Sequence, residues 1–444
     1  MVTPLRTTDM PFTRPSPSDT TAVCSISIVR TDAGLEALEG QWNSLLEESE
    51  ARVFQTFEWT STWWEVIGRS RANRELYIIV IHADGMLVGI APLFLERVPV
   101  FGLLRYRRLT FIGRDTSDYL DILARRGWEL KVVETLAAHL IECRRTFDVL
   151  LLEDITDSSP THERLATILL EHGFAGNRFL SEYCPRTHFG RSWEETAATF
   201  PKSHRNRLLR RMQTVTEESG LDFEHVTDPA EVPGAMDEFI AMHQARWNVL
   251  GHQGVFGDTA TDRFHREVAP RLHRRGWLYL AFFTRKGQRL VGDYGLVFRD
   301  ECATYLGGSA GDPELMRLSP GNVLLMTIMK QCHSMNIRIY DFLRGTERYK
   351  YNLGAVDVPN WTLLMYSHRR RYASFLHRAG LLSEALVRRQ SYEWASFKVQ
   401  TAKHGIFSVA CLSYVFGRLR TVISDAVQKM RTPEKTLIIA RDQQ

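Results

Sequence analysis

Five polar side chains that can take part in acid–base chemistry or bind an anion follow one short apolar run in the second half of the chain. The run, residues 337–340, is rich in β-branched and aromatic side chains, which predicts a buried strand. A glycine within the polar segment, Gly345, permits a tight turn. Ligands of open α/β sheets bind beyond the carboxyl ends of the strands, so we interpret this segment as a candidate site, with a charged surface loop as the alternative. Its polar residues are Asp341, Arg344, Glu347, Tyr349 and Lys350.

The composition excludes several classes of protein. With 444 residues, of which 44% are hydrophobic, the chain is long enough for two or three globular domains. A formal net charge of +4 is too small for a general nucleic-acid binder. The six cysteines contain no C-x-x-C pair, which disfavours a disulfide framework or a zinc site and favours a reducing cytoplasm. We find no apolar stretch long enough to span a membrane.

Two predicted hairpins divide the chain into similar halves. Each hairpin is a pair of apolar runs around a turn, at Asp84-Gly85 in the first half and at Lys286-Gly287 in the second. In both halves a third strand, a helix and a strand with acidic residues at its end follow the hairpin. A spacing of about two hundred residues indicates a duplicated domain rather than a solenoid, whose repeats span roughly 20–50 residues.

This order of elements predicts an α/β fold with two mixed β-sheets flanked by helices. We expect a disordered leader over residues 1–23, a first domain over 24–190, a second domain over 191–366 and a basic helical tail over 367–444. The leader is rich in Thr, Pro and Ser and lacks the apolar core of a signal peptide. The tail contains an apolar stretch at 406–416 followed by arginines, which predicts docking on the domains or contact with an anionic membrane surface.

Two glycine-containing segments lie between predicted strands of the second half. Residues 317–322 read RLSPGN and precede an apolar helix. Free N–H groups and the positive end of the helix dipole would suit a pyrophosphate there. Residues 307–311 read GGSAG and match the nucleophile elbow of serine hydrolases. That elbow requires a helix directly after the serine, whereas Asp312-Pro313 follow here, so a hydrolase is the weaker interpretation.

A basic helix and a histidine are further candidates. Residues 202–211 carry five Lys or Arg side chains, and at helical spacing Arg207 and Arg211 share one face that an anionic ligand could use. A solvated charged helix is an equal alternative. His243 and Trp247 lie four residues apart on a predicted helix and therefore face the same way. A buried histidine is more often structural than catalytic, but the neighbouring glycine-rich loop makes His243 a candidate.

The order of strands, glycine turn, helix and polar strand end resembles that of a GNAT acyltransferase. Over about residues 191–366 the sequence is similar to the CelD/BcsL-like branch, whose members are linked to cellulose and other exopolysaccharide biosynthesis. The two-copy arrangement is also similar to that of FemAB-type peptidyltransferases, which use aminoacyl-tRNA and act on cell-wall precursors. The segments that carry the resemblance are His243-x-x-x-Trp247, Val291-Gly292-Asp293, Tyr305-Leu306-Gly307-Gly308, Ser319-Pro320-Gly321 and the segment from Asp341 to Lys350.

The pyrophosphate loop of the GNAT family, Q/R-x-x-G-x-G/A, is altered in this chain. Arg317 fits the first position, but Pro320 and Asn322 stand in the places of the two glycines, with Gly321 between them. We interpret this as a modified cradle. The first copy has residues 113–118 at the corresponding place without a glycine cradle, so we interpret that half as structural or acceptor-binding.

The resemblance implies acyl transfer from a thioester, in which the acceptor loses a proton while the thiolate leaves. We expect Glu347 as the base, Asp293 as the second choice and His243 as a further alternative, with Tyr349 protonating the leaving sulfur. The implied co-substrate is acetyl-CoA or a longer acyl-CoA, and no metal is needed. The remaining expected contacts are cofactor contacts at Gly307, Gly308, Arg317, Ser319, Gly321 and Asn322, and substrate contacts at Arg207, Trp247, Asp341, Arg344 and Lys350.

Three functions fit these observations. The first is an acyltransferase that modifies an amine or hydroxyl of a small or sugar-linked acceptor in exopolysaccharide or cell-envelope biosynthesis. The second is a FemAB-like transferase whose basic helix contacts tRNA. The third is a non-catalytic protein that binds a sugar polymer or a polysaccharide synthase. We expect a cytoplasmic protein whose tail contacts the inner face of the membrane or such a synthase, and we do not expect DNA as a partner.

Overall fold

The computed structural model describes residues 22–383 except 103, 216–219, 250–253, 312, 368–371 and 382. The predicted leader, apart from its last two residues, and most of the predicted tail lie outside the described residues. Within the tail, residues 372–381 are helical. Among the described residues, none of the helices combines the length and the apolar character needed to cross a membrane.

The described chain alternates strands and helices in both halves. The strands are β1 (Cys24–Val29), β2 (Arg74–Ala83), β3 (Met86–Val100), β4 (Leu104–Phe111), β5 (Leu123–Ala124), β6 (Val149–Thr156), β7 (Ala175–Tyr183), β8 (Arg186–His188), β9 (Asp222–His225), β10 (Leu278–Arg285), β11 (Gln288–Phe298), β12 (Glu301–Ser309), β13 (Ile339–Asp341) and β14 (Pro359–Tyr366). The helices are α1 (Asp32–Glu36), α2 (Glu39–Glu47), α3 (Phe57–Trp63), α4 (Glu129–Glu142), α5 (Ala166–Glu171), α6 (Trp193–Ala198), α7 (Lys202–Gln213), α8 (Val232–Val249), α9 (Thr259–Arg274), α10 (Pro313–Arg317), α11 (Pro320–Ser334) and α12 (Arg348–Asn352).

Two hairpins form where the sequence predicts them. β2 and β3 pair antiparallel around Asp84-Gly85, and β10 and β11 pair antiparallel around Lys286-Gly287. Both residues of each turn have positive φ angles, 48° and 83° in the first turn and 50° and 77° in the second. These are the signs of a type I′ turn, whose twist matches that of the flanking strands. The predicted hairpins are confirmed.

The strands form two mixed sheets flanked by helices, which confirms the predicted fold class. The first sheet has the order β1-β2-β3-β4-β6-β14-β7, with β5 beside β3, and the second has the order β8-β13-β12-β11-β10-β9. Each sheet contains one parallel pair, β4 with β6 and β12 with β13. A helix, α4 or α11, connects the two strands of each pair, because parallel neighbours need a crossover connection.

The two sheets exchange one strand each. β8 follows β7 of the first sheet along the chain but pairs with β13 in the second sheet. β14 follows β13 along the chain but lies between β6 and β7 in the first sheet. Residues on each side of the predicted boundary at 190/191 therefore contribute to both sheets. The domain boundary itself stays a prediction.

Helices α3 and α9 hold the two halves together through buried aromatic rings. The Trp59 ring is fully buried and lies edge-on to Phe264, with 5.0 Å between the ring centroids. It also lies edge-on to Tyr305 of β12, at 5.7 Å. Beside these rings, Arg271 donates hydrogen bonds to Thr62 at 2.8 Å and to Glu65 at 2.9 Å. Aromatic pairs of this kind add to the stabilisation from burial alone, so the halves form a common core.

The exchanged strand gives a test of this packing. A Cβ atom added to Gly176 in β7 would lie 2.0 Å from the carbonyl oxygen of Leu364 in β14. We expect Gly176→Ala to lower the free energy of unfolding by about 1–3 kcal/mol, because β14 would have to shift. The control is Gly40→Ala in α2, where a Cβ meets nothing within 4 Å. It should raise stability by up to about 1 kcal/mol, because alanine favours helix. Urea denaturation measures both, and an unchanged midpoint for Gly176→Ala would contradict the close packing of β14.

Candidate active site

An opening in the second sheet lies where its two parallel strands part. β12 and β13 pair over only three residues, from Glu301 opposite Ile339 to Ala303 opposite Asp341. β12 then continues to Ser309, while β13 ends. Tyr305 is an extra residue in β12, because its register with β11 shifts at this point. Such bulges occur next to active sites, since they interrupt the hydrogen-bond ladder and re-aim the backbone.

Asp293 of β11 has the chemistry of a general base. Its side chain is only 3% exposed, and Thr304 of β12 donates a hydrogen bond to Oδ2 at 2.5 Å. The other oxygen, Oδ1, has no hydrogen-bond partner among the described residues. Burial raises the pKa of Asp293 from its ordinary value of 3.8 to about 7, although the Thr304 hydrogen bond favours the charged form. A carboxylate with a pKa near neutrality can both take up and release a proton at physiological pH.

The two glycines of β12 have different surroundings. Gly307 lies directly opposite Asp293 in the ladder, is exposed, and a Cβ added there would meet nothing within 4 Å. Neighbouring strands place paired residues on the same face, so this open space is on the same face of the sheet as Asp293. A Cβ at Gly308 would lie 3.2 Å from the backbone nitrogen of His243. Gly308 therefore lets α8 pack closely on the sheet, whereas Gly307 leaves room for a ligand.

His243 lies on the opposite face of the sheet from Asp293. Tyr294 follows Asp293 in β11 and packs against Phe239 of α8, the helix that carries His243, and successive strand residues point to opposite faces. His243 is buried, and Trp247 Nε1 donates a hydrogen bond to its Nε2 at 3.0 Å. Burial lowers the pKa of His243 to about 4. The histidine is therefore neutral, and Trp247 occupies its accepting nitrogen.

The segment 317–322 forms a turn into α11. Ser319 precedes the helix in a left-handed backbone conformation, with φ of 52° and ψ of 56°, and Pro320 is the first helical residue. Arg317 and Gly321 are exposed, and Asn322 donates its backbone N–H to the Ser319 carbonyl at 3.0 Å. Pro320 has no N–H group and Asn322 donates its own to Ser319, so the backbone N–H of Gly321 is the group that this helix N-terminus offers to a phosphate.

Helix α7 brings positive charge to this turn. Arg211 Nη1 donates a hydrogen bond to the Ser319 hydroxyl at 2.8 Å, and Arg207 Nη2 donates to His204 Nδ1 at 2.7 Å. Burial lowers the pKa of His204, and the charges of Arg207, Arg211 and Arg348 lower it further, so these three guanidinium groups lie close together. None of the three has an acidic partner within salt-bridge distance in the part of the chain that the structure describes.

Asp341 and Arg344 of the polar segment contact the first half of the chain. Asp341 is buried, forms an ion pair with Arg186 at 2.7 Å and accepts a hydrogen bond from the Tyr119 hydroxyl at 2.7 Å. Arg344 forms an ion pair with Asp118 and donates to the Ser117 carbonyl. The structure thus places both side chains in contacts within the protein.

Lys350 and Glu347 hold the turn around Gly345. The Lys350 side chain is 2% exposed, and its Nζ donates to the carbonyls of Leu343, Arg344 and Gly345 at 3.1, 2.5 and 3.1 Å. It also lies 2.9 Å from Oε2 of Glu347, whose side chain is 58% exposed. All the donors of the ammonium group are therefore occupied, and Glu347 is an exposed carboxylate paired with a lysine.

Tyr349 lies between the two candidate carboxylates. Burial raises its pKa, and the charges of Glu347 and Asp293 raise it further, whereas Arg246 opposes them. Its ring packs edge-on to Phe342, with 6.2 Å between the centroids. The hydroxyl therefore stays protonated at neutral pH and can act as a proton donor.

Sequence reasoning left Thr304 and Arg348 out of the site. Thr304 reaches Asp293 only through the register of β11 and β12, which the bulge at Tyr305 sets. Arg348 joins the α7 arginines through the turn that follows β13. In the sequence, the one sign that Arg348 belongs to the site is its position next to Glu347 in the polar segment.

The pKa of Asp293 predicts how stability depends on pH. The folded protein holds a proton on Asp293 up to about pH 7, whereas the unfolded chain releases it near pH 3.8, so this stabilising contribution is lost as pH rises through about 7. We expect Asp293→Asn to be the more stable protein at pH 8.5, by up to about 4 kcal/mol, with a smaller difference at pH 5. Urea denaturation at both pH values measures this. Asp222→Asn on exposed β9 is the control, and equal pH dependence in both variants would contradict the raised pKa.

Comparisons with known proteins show which part of the chain resembles a known family. Residues 202–351 match the family model of the acetyltransferase (GNAT) domain. In the chain, they run from the start of α7 through Asp293 and the turn before α11 to Lys350 and Tyr351 in α12. None of the curated proteins matches the sequence. Among the described residues, no group of three or more His, Cys, Asp or Glu side chains could hold a metal ion.

Solved structures are similar over most of the chain. FemX is similar with a TM-score of 0.55 at 11% sequence identity, and the match covers 79% of this chain and 99% of that chain. The C-terminal domain (DUF2156) of a putative lysylphosphatidylglycerol synthetase from Agrobacterium fabrum has a TM-score of 0.47 at 11% identity, over 79% and 97% of the two chains. A tandem GNAT protein from the clavulanic acid biosynthesis pathway has 0.42 at 13% identity, over 78% and 99%.

At this sequence identity the likeness to FemX shows a shared two-sheet fold. The family match is specific to the half that contains Asp293, the α11 turn and the arginines of α7 and α12. Residues 202–351 are therefore similar to a GNAT acetyltransferase domain, and they lie within a larger fold like that of FemX.

Proposed function

We propose that the second half transfers an acyl group from acyl-CoA to an amine or hydroxyl acceptor, with Asp293 as the general base. One observation carries the proposal: a buried carboxylate with a pKa of about 7 has one oxygen held by Thr304 and the other without a partner among the described residues, beside the open space at Gly307. Desolvation of this kind is how enzymes tune a carboxylate for proton transfer at neutral pH. We therefore rank Asp293 above the exposed, lysine-paired Glu347.

The proposed reaction is nucleophilic attack on the thioester carbonyl. Asp293 accepts the proton as the acceptor nitrogen or oxygen forms the new bond to the carbonyl carbon. The carbon–sulfur bond then breaks, and Tyr349 supplies the proton that the departing thiolate takes up. Asp293 and Tyr349 exchange these protons with solvent before the next turnover. The Tyr349 hydroxyl is protonated when the thiolate forms, as a proton donor must be, and the positive charge of Arg246 counteracts the rise of its pKa.

The bulge at Tyr305 supports stabilisation of the oxyanion. Tyr305 has no ladder partner in β11, since Thr304 pairs with Gly295 and Leu306 pairs with Tyr294. A backbone N–H released from the ladder next to Gly307 can donate to the negative oxygen that develops during attack. The Tyr305 hydroxyl donates to the Thr116 carbonyl at 2.7 Å, which fixes the bulge against the first half.

The phosphates of the donor would bind at the N-terminus of α11. The residues present fit such a group, because the turn at Ser319 opens a helix N-terminus and Arg211 contacts that turn. Arg207 and Arg348, which like Arg211 have no acidic partner among the described residues, lie near His204 of the same helix α7. We assign the pyrophosphate to Gly321, Asn322 and Arg317, and further phosphate contacts to Arg207, Arg211 and Arg348. When bound, the co-substrate supplies the activated acyl group.

We infer the class of acceptor from the resemblance of the second half to the CelD/BcsL-like branch. We propose a small or sugar-linked acceptor of exopolysaccharide or cell-envelope biosynthesis, with the first half as structural support or as part of the acceptor site. Contact of the tail with a membrane surface or with a polysaccharide synthase belongs to the same proposal, as does a cytoplasmic location.

A second candidate is transfer from aminoacyl-tRNA. The observation that favours it is the basic surface of α7, where Lys202, Arg205 and Arg210 add to Arg207 and have no acidic partner among the described residues. The polyanionic backbone of tRNA would bind such a surface, with an affinity that falls steeply with salt. Salt-sensitive tRNA binding without a response to CoA would favour this function.

The base is tested by comparing two carboxylate variants. We expect Asp293→Asn to lower kcat by about 10²–10⁴-fold, because the amide cannot accept the proton. Glu347→Gln should retain more than a tenth of the wild-type rate, and Asp222→Asn should equal wild type. In the wild type, kcat/KM should rise with pH through about 7 as Asp293 ionises. Acetylation of a panel of amines and amino sugars with acetyl-CoA measures these rates. A larger loss in Glu347→Gln than in Asp293→Asn would transfer the role to Glu347.

The donor is tested by titration with CoA, acetyl-CoA and longer acyl-CoAs. Binding to the folded state raises the melting temperature in proportion to the logarithm of ligand concentration. We expect Arg207→Ala and Arg211→Ala each to weaken binding by about tenfold, since each removes a charge-assisted contact to phosphate. Arg263→Ala on α9, which removes an exposed arginine paired with Glu267, is the matched control. If acyl-CoA stabilises the wild type and both α7 variants bind it with unchanged affinity, the donor must bind at another site.

A further inference from the structure

A cavity of about 510 Å³ lies at the first sheet and not at the candidate active site. Its walls come from residues 49–55, from the segment after β4, from the start of α4, from the segment after β6 and from the turn between β11 and β12. Ligand sites for small molecules typically enclose about 300–1,000 Å³, so the cavity has the size of a binding site.

The cavity is the counterpart, in the first half, of the site around α11. It lies beyond the carboxyl ends of the parallel strands β4 and β6 and at the start of α4, the helix that connects them. This is the position at which open sheets bind ligands. The chemistry differs, because Glu129 is the first residue of α4 and faces the cavity. A carboxylate at a helix N-terminus repels a phosphate, so the cavity is unsuited to CoA or a nucleotide.

Three carboxylates on the cavity wall lack a cationic partner. Asp121, Glu129 and Asp300 have no ion pair with any residue that the structure describes. Asp121 is fixed in position, since its Oδ1 accepts hydrogen bonds from Thr161 at 2.6 Å and from the Ile122 backbone at 2.8 Å. The lining also offers the hydroxyls of Ser158 and Ser159.

The arginines of the lining are occupied by other groups. Arg52 forms an ion pair with Glu301 at 2.7 Å and lies over the Tyr119 ring at 4.5 Å. Arg299 donates hydrogen bonds to the carbonyls of Leu46 and Ala51 at 2.6 and 3.2 Å. Another acidic side chain of the wall, Glu50, is exposed and pairs with Arg126. Because carbonyls are neutral, Arg299 keeps its positive charge, but the lining has five carboxylates against two arginines, so its net charge is negative and favours a cation.

We propose that this cavity binds a small organic cation with two or more ammonium groups, such as a polyamine. A metal ion fits less well, because the carboxylates are not grouped closely enough to coordinate one. The separate ammonium groups of an elongated ligand can each reach one carboxylate, and the serine hydroxyls can accept from the remaining N–H groups. The site does not depend on the proposed acyl transfer.

The cavity is distinct from the site at Asp293. Glu301 of the cavity wall and Gly307, which lies opposite Asp293, are six residues apart on β12. At about 3.3 Å per residue this is a separation of about 20 Å. A small ligand therefore cannot contact both carboxylate groups at once.

Isothermal titration of the full chain with spermidine tests the proposal, without any acyl-CoA present. We expect saturable binding that weakens with salt, and no binding of triethylene glycol as a neutral probe of similar length. Asp121→Asn and Glu129→Gln should each weaken spermidine binding by at least tenfold, and so should Asp300→Asn, whose exposed position in a turn makes misfolding no concern. Glu36→Gln on the exposed face of α1 is the matched control.

The Asp293→Asn variant separates this proposal from the proposed function. Spermidine binding that survives in Asp293→Asn but is weakened in the three cavity variants supports the cavity site. Loss of binding in Asp293→Asn with unchanged affinity in the cavity variants would assign the amine to the candidate active site and overturn the proposal. Absence of any saturable binding to wild type would overturn it as well.

Discussion

The buried ion pair between Asp341 and Arg186 connects the exchanged strand β8 to the end of β13, where the polar segment of the second half begins. The two residues are register partners, since Arg186 lies on the exchanged strand β8 and Asp341 ends β13. Tyr119 of the first half adds a hydrogen bond to the same carboxylate. Breaking a buried pair of this kind typically costs about 3–5 kcal/mol, because the remaining charge is left without a partner. The exchange of strands and the start of the polar segment are thus fixed by one contact.

Two carboxylates of the second sheet show how surroundings decide chemistry. Asp341 is buried with an arginine and a tyrosine, so its charge is neutralised and it serves the fold. Asp293 is buried, and its side chain has the Thr304 hydroxyl as its one hydrogen-bond partner among the described residues, so its charged form is disfavoured and its pKa rises. Both residues are aspartates in or next to apolar strands. The difference between them lies in the cationic partner, and that partner comes from a distant part of the chain.

The two halves have a similar arrangement of strands and helices but different polar residues at corresponding positions. In the hairpin alignment of Val88-Gly89 with Val291-Gly292, the residue that corresponds to Asp293 is Ile90. At the helix that connects the parallel strands, the second half has a left-handed turn with arginines nearby, whereas the first half has Glu129. The two ends of the parallel strand pairs therefore favour ligands of opposite charge, on the same arrangement of strands and helices.

The sequence by itself determined the hairpins, the order of strands and helices and the fold class, because turn residues and apolar periodicity are local properties. It also located the polar segment after β13 and the turn before α11. Only the tertiary structure decided which polar side chains of these segments are available to bind a ligand and which are held by contacts within the protein. Lys350 folds back on the carbonyls of its own turn, and Arg344 pairs with Asp118, more than two hundred residues away. The isolation of Asp293 depends on the register of β11 and β12 and on the packing of α11, and such long-range pairing leaves no local pattern in the sequence.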